Sequence, residues 1–574
     1  MANNPKGYMG KETEEWKQYQ AGIDYNHKVD LYQTVNKNER FYAGDQWMGV
    51  VSNGLPTPVF NILKRIINYF VSSILSQNVT IHFVPENVGD SVTTEEEEKI
   101  KKASQLLSSY SATLFEKNKI NNKLRQLLLD AAISGDACGY VYWNSEIDTG
   151  QDSKGDIDVD TVDNVNVFFG DPNEVDVQKQ RYIIISAREL VINLQDEARA
   201  NGFPEEDVLR IGSDEETFYQ SGDRSQLQLD YRFSGMGKTT SLLKLYKKDG
   251  KVFAKKITKF SNIRNEWDTK LSLYPVTWMN WDVRKNSYHG QALVTGIIPN
   301  QIFINKMFAM AMMSLMHTAF PKVIYNKNMI TAWNNQVGAA IGIERMGNES
   351  VGNVAQYMNA GQMSEQVMRT IDLAINYTKD MLGANDNLLG DINPERASGR
   401  SIIAVQQASA VPLESIKQNM YQFLEDMGYI WLDYISKYYG TRKIDAEILG
   451  KRQIVEFNFD DLQKMKFRLK IEVGASSYWS ELASNETLDG LLQQDRITFK
   501  QYLERIPVGL ITKKQSLLED IKNQDVKQQF IYEQLAKFVD GLPPEQQQSI
   551  KQLPPEEQEK EVMQMMMQQK GGTL

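Results

Sequence analysis

The chain is poor in the residues that build stapled or metal-bound proteins: among its 574 residues there is one cysteine and there are four histidines. A single thiol, Cys138, cannot close an intrachain disulfide and suits a reducing compartment. Set in AAISGDACGYVYW, it reads as a small buried residue. None of His27, His82, His289 and His317 has a second His or Cys at ligand spacing, so no zinc or iron site and no cofactor is expected. A basic surplus is also missing, because 64 Lys and Arg stand against 74 Asp and Glu for a formal charge of −10. A protein that grips nucleic acid through its phosphates carries such a surplus or a basic stripe. Tight DNA binding as the main task is therefore not expected, whereas contact with DNA that slides without sticking is compatible. Long apolar runs are absent too. The longest, Met307 to Phe320, is about 14 residues where a membrane span needs about 20, so no stable membrane association is expected. The opening MANNPKGYMGKETEEW has no apolar core of the kind a signal peptide carries.

Two partial motifs are set aside on their own residues. SGMGKTT, Ser234 to Thr240, looks like the end of a phosphate-binding loop, but the Gly that should stand five positions before Gly237 is Arg232. The residues after it read as a hairpin strand, whereas the phosphates need a helix N-terminus. Asp156, Asp158 and Asp160 fall at calcium-loop spacing, yet Thr161 stands where the turn needs Gly and Val167 where a bidentate Glu is needed. The acidic stretch Asp148–Asp163 is read as a solvated hairpin turn. No Ser/His/Asp set or catalytic carboxylate pair stands out, and no enzyme is expected.

What is present is ample material for cores, with 41% hydrophobic and 10% aromatic residues over a length that calls for two to four packing units. The fold class expected is α+β, mainly helical. Helical periodicity runs through Asn61–Gln77, with Ile62, Ile66, Tyr69, Phe70 and Ile74 on one face. VTIHFVP alternates as a strand, and Thr93 or Thr94 before a Glu run caps the next helix. A further helix, about Asn121 to Ser134, ends at Gly135, with GYVYW and VNVFFGDP as strands. SLLKLYKKDGKVFAKK is a hairpin turned at Asp249-Gly250.

The stretch from Gly290 to about Gly440 organises the rest. A helix from Gln291 to about Phe320 repeats Ile297, Gln301, Ile304, Phe308, Ala311 and Leu315, and is apolar on nearly every side from Met307 to Met316. Such a helix must be buried all round, either by one large core or by neighbouring subunits, for which methionine is well suited. Short strands and turns follow, too small for a domain and carried between two helices as a cap. A second helix, about Gln362 to Leu382, places Val367, Ile371, Ala374, Tyr377 and Met381 on one face. GANDNLLGDINPERASG then disfavours regular structure. Ser398 can cap a long helix that bends at Pro412 and keeps Ile416, Met420, Phe423, Met427, Ile430, Tyr434 and Tyr438 in a stripe to about Tyr439.

In their order along the chain, YAGDQW with LPTPVFNILKRIINYFVSSIL, NVFFGDPNEVDVQKQRYIII, HGQALVTGIIPNQIFINKMFAMAMMSLMHTAFPKVIY, ASGRSIIAVQQASAVPLESI and GASSYWSELASNETLDGLLQQDRITFKQYLERIP resemble the portal proteins of tailed bacteriophages, the head–tail connectors. The resemblance covers most of the chain. It implies a portal-type architecture: wing at 1–289, stem helix at 290–320, clip at 321–361 and second stem helix at 362–382. A tunnel loop at 383–399 follows, then a long kinked helix with wing strands at 400–479, and a helical crown with C-terminal tail at 480–574. It implies a homo-oligomeric ring, usually of twelve subunits, at one capsid vertex. Double-stranded DNA passes through its channel during packaging and ejection. The implied partners are the terminase packaging motor at the clip, neck or adaptor proteins after it, and the major capsid and scaffolding proteins. The implied location is the virion, with the host cytoplasm during assembly.

DNA carries one phosphate charge per about 1.7 Å of axis, so a basic lining would hold a moving duplex back. The tunnel loop carries Asp386, Asp391 and Glu395 against Arg396 and Arg400. The expectation is that Asn385, Asp386, Asn387, Asp391 and Asn393 face the channel, with Glu395 and Arg396 beside them. An oligomeric virion scaffold without a DNA channel, and a nucleotide hydrolase at Ser234–Thr240, are the competing readings. The helix–cap–helix arrangement followed by a polar loop favours the portal.

The tail, LPPEQQQSIKQLPPEEQEKEVMQMMMQQKGGTL, repeats a Leu-Pro-Pro-Glu unit and reads as spacers with short helices between them.

Overall fold

A computed structural model describes residues 12–506 with internal gaps, the longest at 215–236, 384–410 and 474–486, and scattered positions beyond 506. By its backbone contacts the chain forms two units, Met1–Gly474 and Ala475–Leu574.

The first unit opens with α1 (Glu14–Lys28), capped by Thr13, whose hydroxyl accepts from the amide of Trp16. α2 (Leu31–Ala43) follows, then α3 (Ile62–Ile74) after the proline-rich LPTPVF. On α3 Leu63, Ile66, Ile67, Phe70, Val71 and Ile74 are all buried, each stabilising the core by roughly 1.5–3 kcal/mol. β1 (Val79–Pro85) leads to α4 (Thr94–Lys117), whose first turn holds Glu95, Glu96 and Glu97 against the positive end of the helix dipole. α5 (Ile120–Ser134) ends at Gly135 as expected.

β2 (Asp136–Asn144) is the middle strand of a three-stranded antiparallel sheet, between β3 (Asp156–Val162) and β9 (Val276–Asn280). The acidic stretch is therefore less of a turn than its composition suggests, since its second half is strand. Asp156 points inward, where it meets the Lys117 ammonium and the Tyr439 hydroxyl, while Asp160 points to solvent. Ile157 and Val159 alternate with Asp158 and Asp160 as in a half-buried strand, and Asp156, on the face of the other two aspartates, is the exception, buried because these partners satisfy its carboxylate.

β4 (Val167–Phe169), β5 (Tyr182–Leu190), β6 (Lys238–Lys248), β7 (Lys251–Ile257) and β8 (Asn262–Asp268) form a five-stranded antiparallel sheet in that order. Its β6–β7 turn is the Asp249-Gly250 pair, both with positive φ as such a turn requires. α6 (Val191–Ala200) and α7 (Glu205–Leu209) lie between β5 and β6 in sequence and share a small core with Ile263 of β8.

Next come α8 (Leu293–Ala319), β10 (Val323–Tyr325), the short α9 (Val351–Val354), β11 (Ala355–Tyr357) and α10 (Glu365–Met381). α11 (Glu414–Tyr438) is preceded by a 3-10 turn, Val411–Leu413, that contains Pro412. The missing amide of Pro412 and its restricted φ suit a turn just before a helix begins, while Ser398, the expected cap, and the expected helix before Pro412 lie outside the described residues. The expected stripe on α11 is observed: Ile416, Met420, Phe423, Met427, Ile430 and Tyr434 are buried in the main core. β12 (Thr441–Ile448) pairs with β13 (Lys451–Asn458), and β14 (Phe467–Val473) returns to pair with β1.

In the second unit the described residues include α12 (Phe499–Arg505), which opens on a capping box between Thr498 and Gln501. The chain is thus an α+β protein, mainly helical.

Candidate functional site

α8 and α10 pack side by side, and Asn300 donates to the hydroxyl of Thr378 at 3.2 Å. Beyond their far ends β10 pairs antiparallel with β11, Val323 opposite Tyr357, so a small cap closes the helix pair. Within the cap Ile330 is buried and Tyr325 stacks on Trp333.

The buried faces of the pair only partly follow the sequence pattern. On α8, Ile297, Gln301, Ile304 and Ala311 are buried as expected, but Leu315 is 54% exposed, and Phe303, Met310, Met312 and Met316 are exposed with it. The stretch that is apolar all round is therefore not covered within one chain. On α10, Ile371 and Thr378 are buried, whereas Tyr377 and Met381 are 60% and 79% exposed. The stripe read from the sequence of α10 is thus buried at Ile371 and exposed at Tyr377 and Met381. Apolar periodicity identified a stripe, but the helix turns a neighbouring face, with Thr378, toward α8.

The base of α8 is fixed by two buried polar clusters. In the first, Asp136 accepts from Asn280 Nδ2 at 2.7 Å and from the amide of Gly290 at 2.6 Å. Its other oxygen lies 2.7 Å from His289 Nδ1, and His289 Nε2 lies 3.1 Å from Asn26 Oδ1. This knot joins α1, β2 and β9 just before α8 begins. Sequence reading treated His289 only as a failed metal ligand; its role depends on partners more than a hundred residues away. In the second cluster, Gln301 Nε2 donates to the carbonyl of Phe60 at 2.7 Å and its Oε1 accepts from the amide of Leu63 at 3.3 Å. Asn305 Nδ2 donates to Gln46 Oε1 at 2.6 Å, and Phe60 stacks on Phe308 with ring centroids 4.0 Å apart. The loop between α2 and α3 is thereby pinned to α8.

The candidate channel residues Asn385, Asp386, Asn387, Asp391, Asn393, Glu395 and Arg396 lie outside the described residues. The two ends of that segment are described, and they meet. Gly383, at φ +68°, is so close to Pro412 that a Cβ there would fall 2.7 Å from the proline Cγ. The chain thus leaves α10 and re-enters at α11 from one place.

The other sequence candidates resolve simply. Lys238, Thr239 and Thr240 begin strand β6, and Asp214 accepts from the Thr239 hydroxyl and the Thr240 amide at 2.6 and 2.8 Å. A strand stands where a phosphate-binding loop needs a helix. Cys138 is buried in β2, and burial pushes its thiol well above the usual range. Among the described residues no group of three His, Cys, Asp or Glu side chains is placed to hold a metal ion, and no described helix is long and apolar enough to cross a membrane.

A family model described as phage P22-like portal protein matches residues 16–192 and 247–572. The chain belongs to this portal family. No curated protein matches it.

The portal match takes in α8, the capped hairpin, α10, the segment between Gly383 and Pro412, and both strands of the β1–β14 pair. It leaves out 193–246, which holds most of α6, all of α7 and much of β6. The Ser234–Thr240 segment that imitates a nucleotide-binding motif falls inside this unmatched stretch.

Proposed function

We propose that the protein assembles as a closed ring at a single capsid vertex, where it passes double-stranded DNA during packaging and ejection. α8 and α10 act as the stem, the β10–β11 cap as the clip, the residues before α8 and the β1–β14 region as the wing, and the residues after 480 as the crown. The clip receives the terminase motor and later the neck or adaptor proteins, while the wing meets capsid and scaffolding proteins. The role is structural, and the work of translocation belongs to the docked motor. The ring is a homo-oligomer, with twelve copies the expected number.

One observation carries this reading: two adjacent helices tipped by a small cap expose Phe303, Met310, Leu315 and Met316 on one and Leu373, Tyr377 and Met381 on the other. A soluble chain does not leave so many large apolar side chains on two packed helices in water unless another surface covers them. Copies of the same chain arranged head to tail around an axis cover such a surface and close on themselves. The segment between Gly383 and Pro412 is the tunnel loop in this proposal, with Asn385, Asp386, Asn387, Asp391 and Asn393 toward the DNA and Glu395 and Arg396 beside them. Its polar and mixed-charge composition lets phosphates pass without the counterion release that makes basic surfaces hold DNA.

Native mass spectrometry with negative-stain microscopy tests the proposal. A closed ring with a central hole is expected. A protein that stays monomeric both alone and when co-expressed with its capsid proteins refutes it.

A further inference from the structure

We infer that the exposed stripe of α10 seats in a cavity of the neighbouring copy, the one enclosed by α2, the loop after α2, and α8. The inference rests on the ring proposed above and deepens it by naming two surfaces that meet.

The cavity has a volume of about 920 Å³. α8 lines one wall from Thr295 to Lys306, and Arg40, Trp47 and Met48 belong to the opposite wall. The stripe consists of Leu373, Tyr377 and Met381, which are 51%, 60% and 79% exposed and fall one turn apart on α10.

Three observations bring these surfaces together. The first is direction. Ile298 and Ile302 line the cavity, while Asn300 bonds to Thr378 of α10. At 3.6 residues per turn Asn300 lies on the far side of α8 from both isoleucines, so the cavity and α10 occupy opposite flanks of one helix. The second is level. The Asn300–Thr378 bond sets the two helices in step, and the β10–β11 pairing closes their far ends, so α10 runs back along α8. Leu373 to Met381 therefore runs beside the part of α8 that lines the cavity. In a cyclic ring every copy is related to the next by rotation about one axis. With the stem along that axis, a flank meets the opposite flank of its neighbour at an unchanged level. The third is charge. Asp380 is exposed beside Tyr377 on the stripe, and the cavity lining carries Lys37, Arg40 and Lys306 against Asp30 and Asp45.

Cysteine pairs test the contact directly. Met381→Cys is combined with Met48→Cys, and Tyr377→Cys with Lys37→Cys, in the full chain, whose own Cys138 is buried. The paired positions in one copy flank α8 on opposite sides, so a bond between them joins different copies. Mild oxidation followed by non-reducing electrophoresis is expected to give a ladder of covalent multimers for at least one pair and for none of the four single variants. Native mass spectrometry of the same samples separates this inference from the one beneath it. An intact ring that yields only monomer bands from both pairs overturns the contact and leaves the ring standing. That is also the outcome if residues 1–11 of the same chain fill the cavity. A sample in which no ring forms under any condition overturns both.

Discussion

His289 Nδ1 lies 2.7 Å from Asp136 Oδ2, with the side chains 2% and 0% exposed respectively. Asp136 is the common acceptor for groups from β9 and the approach to α8, so removing it strands several donors at once. Asp136→Ala is expected to destabilise the first unit by about 1–3 kcal/mol for each buried donor it leaves unpaired. Asp136→Asn, which keeps part of the network, is expected to cost less. Denaturant unfolding followed by near-ultraviolet dichroism gives the values, and equal stability of Asp136→Ala and the parent chain contradicts this account.

Gln301 holds the α2–α3 loop through the carbonyl of Phe60 and the amide of Leu63. Gln301→Leu keeps the volume and removes both bonds together with the one to Asn305; the Phe60 carbonyl keeps the Ile62 amide, while the Leu63 amide is left unpaired at a cost of about 1–3 kcal/mol. The loop is expected to become the first site of limited proteolysis, with cleavage between Gly44 and Asn61 faster than in the parent. An unchanged cleavage pattern removes the latch.

Asp130 on α5 gives the pH dependence. Burial, reinforced by the charges of Asp163 and Glu39, pushes its carboxyl from the ordinary 3.8 up to about 7. Glu39 on α2 is raised as well, by burial and then by Asp163. Tyr42 on α2 is raised too, by burial and then by Glu39, with Arg125 acting in the opposite sense. A carboxyl raised in the folded state contributes stability that is complete below pH 4 and is lost as pH rises to about 7. Asp130→Asn is therefore expected to stabilise the protein at pH 8, by at most about 4 kcal/mol, and to change little at pH 4. Thermal unfolding at the two pH values reads the sign, and stabilisation confined to pH 4 reverses the assignment.

Met310→Glu with Met316→Glu places charge on the exposed part of α8 without disturbing its buried face. Monomer stability is expected to stay within about 0.5 kcal/mol, as for surface changes in general, while the ring is lost in native mass spectrometry. Retention of the ring places the subunit contact elsewhere.

Asp386→Lys with Asp391→Lys tests the loop itself. Two added cations near a sliding duplex strengthen phosphate contacts. The yield of DNA-filled heads is expected to fall several-fold with the ring intact. Normal packaging by that variant excludes a channel role for these residues.

The elements were legible wherever a local rule was enough. The acidic first turn of α4, the Asp249-Gly250 hairpin, the stripe of α11 and the strand VTIHFVP follow from the helix dipole, turn chemistry and periodicity, all of them local rules. The resemblance spread over five segments was likewise readable and pointed to the family whose model matches the chain. Legibility failed where distant partners decide. Asp156 looked like part of a solvated turn and is buried because Lys117 and Tyr439 meet it. Periodicity put Ile371, Tyr377 and Met381 on one face of α10, and only the packing of Thr378 against Asn300 shows that Ile371 is buried while Tyr377 and Met381 are exposed.

The sequence by itself determined the class of the protein: α+β, mainly helical, built around two long helices separated by a small cap, and a member of the portal family. The elements are set by short-range periodicity and turn residues, and the family by the resemblance of five segments in order along the chain, all of them linear properties. Only the tertiary structure decided which side of each helix is covered, that Gly383 and Pro412 bring the two ends of the polar loop together, and that His289 closes a buried knot with Asp136. Burial and pairing depend on groups that meet in space across hundreds of residues, and periodicity along the chain carries no record of which groups those are.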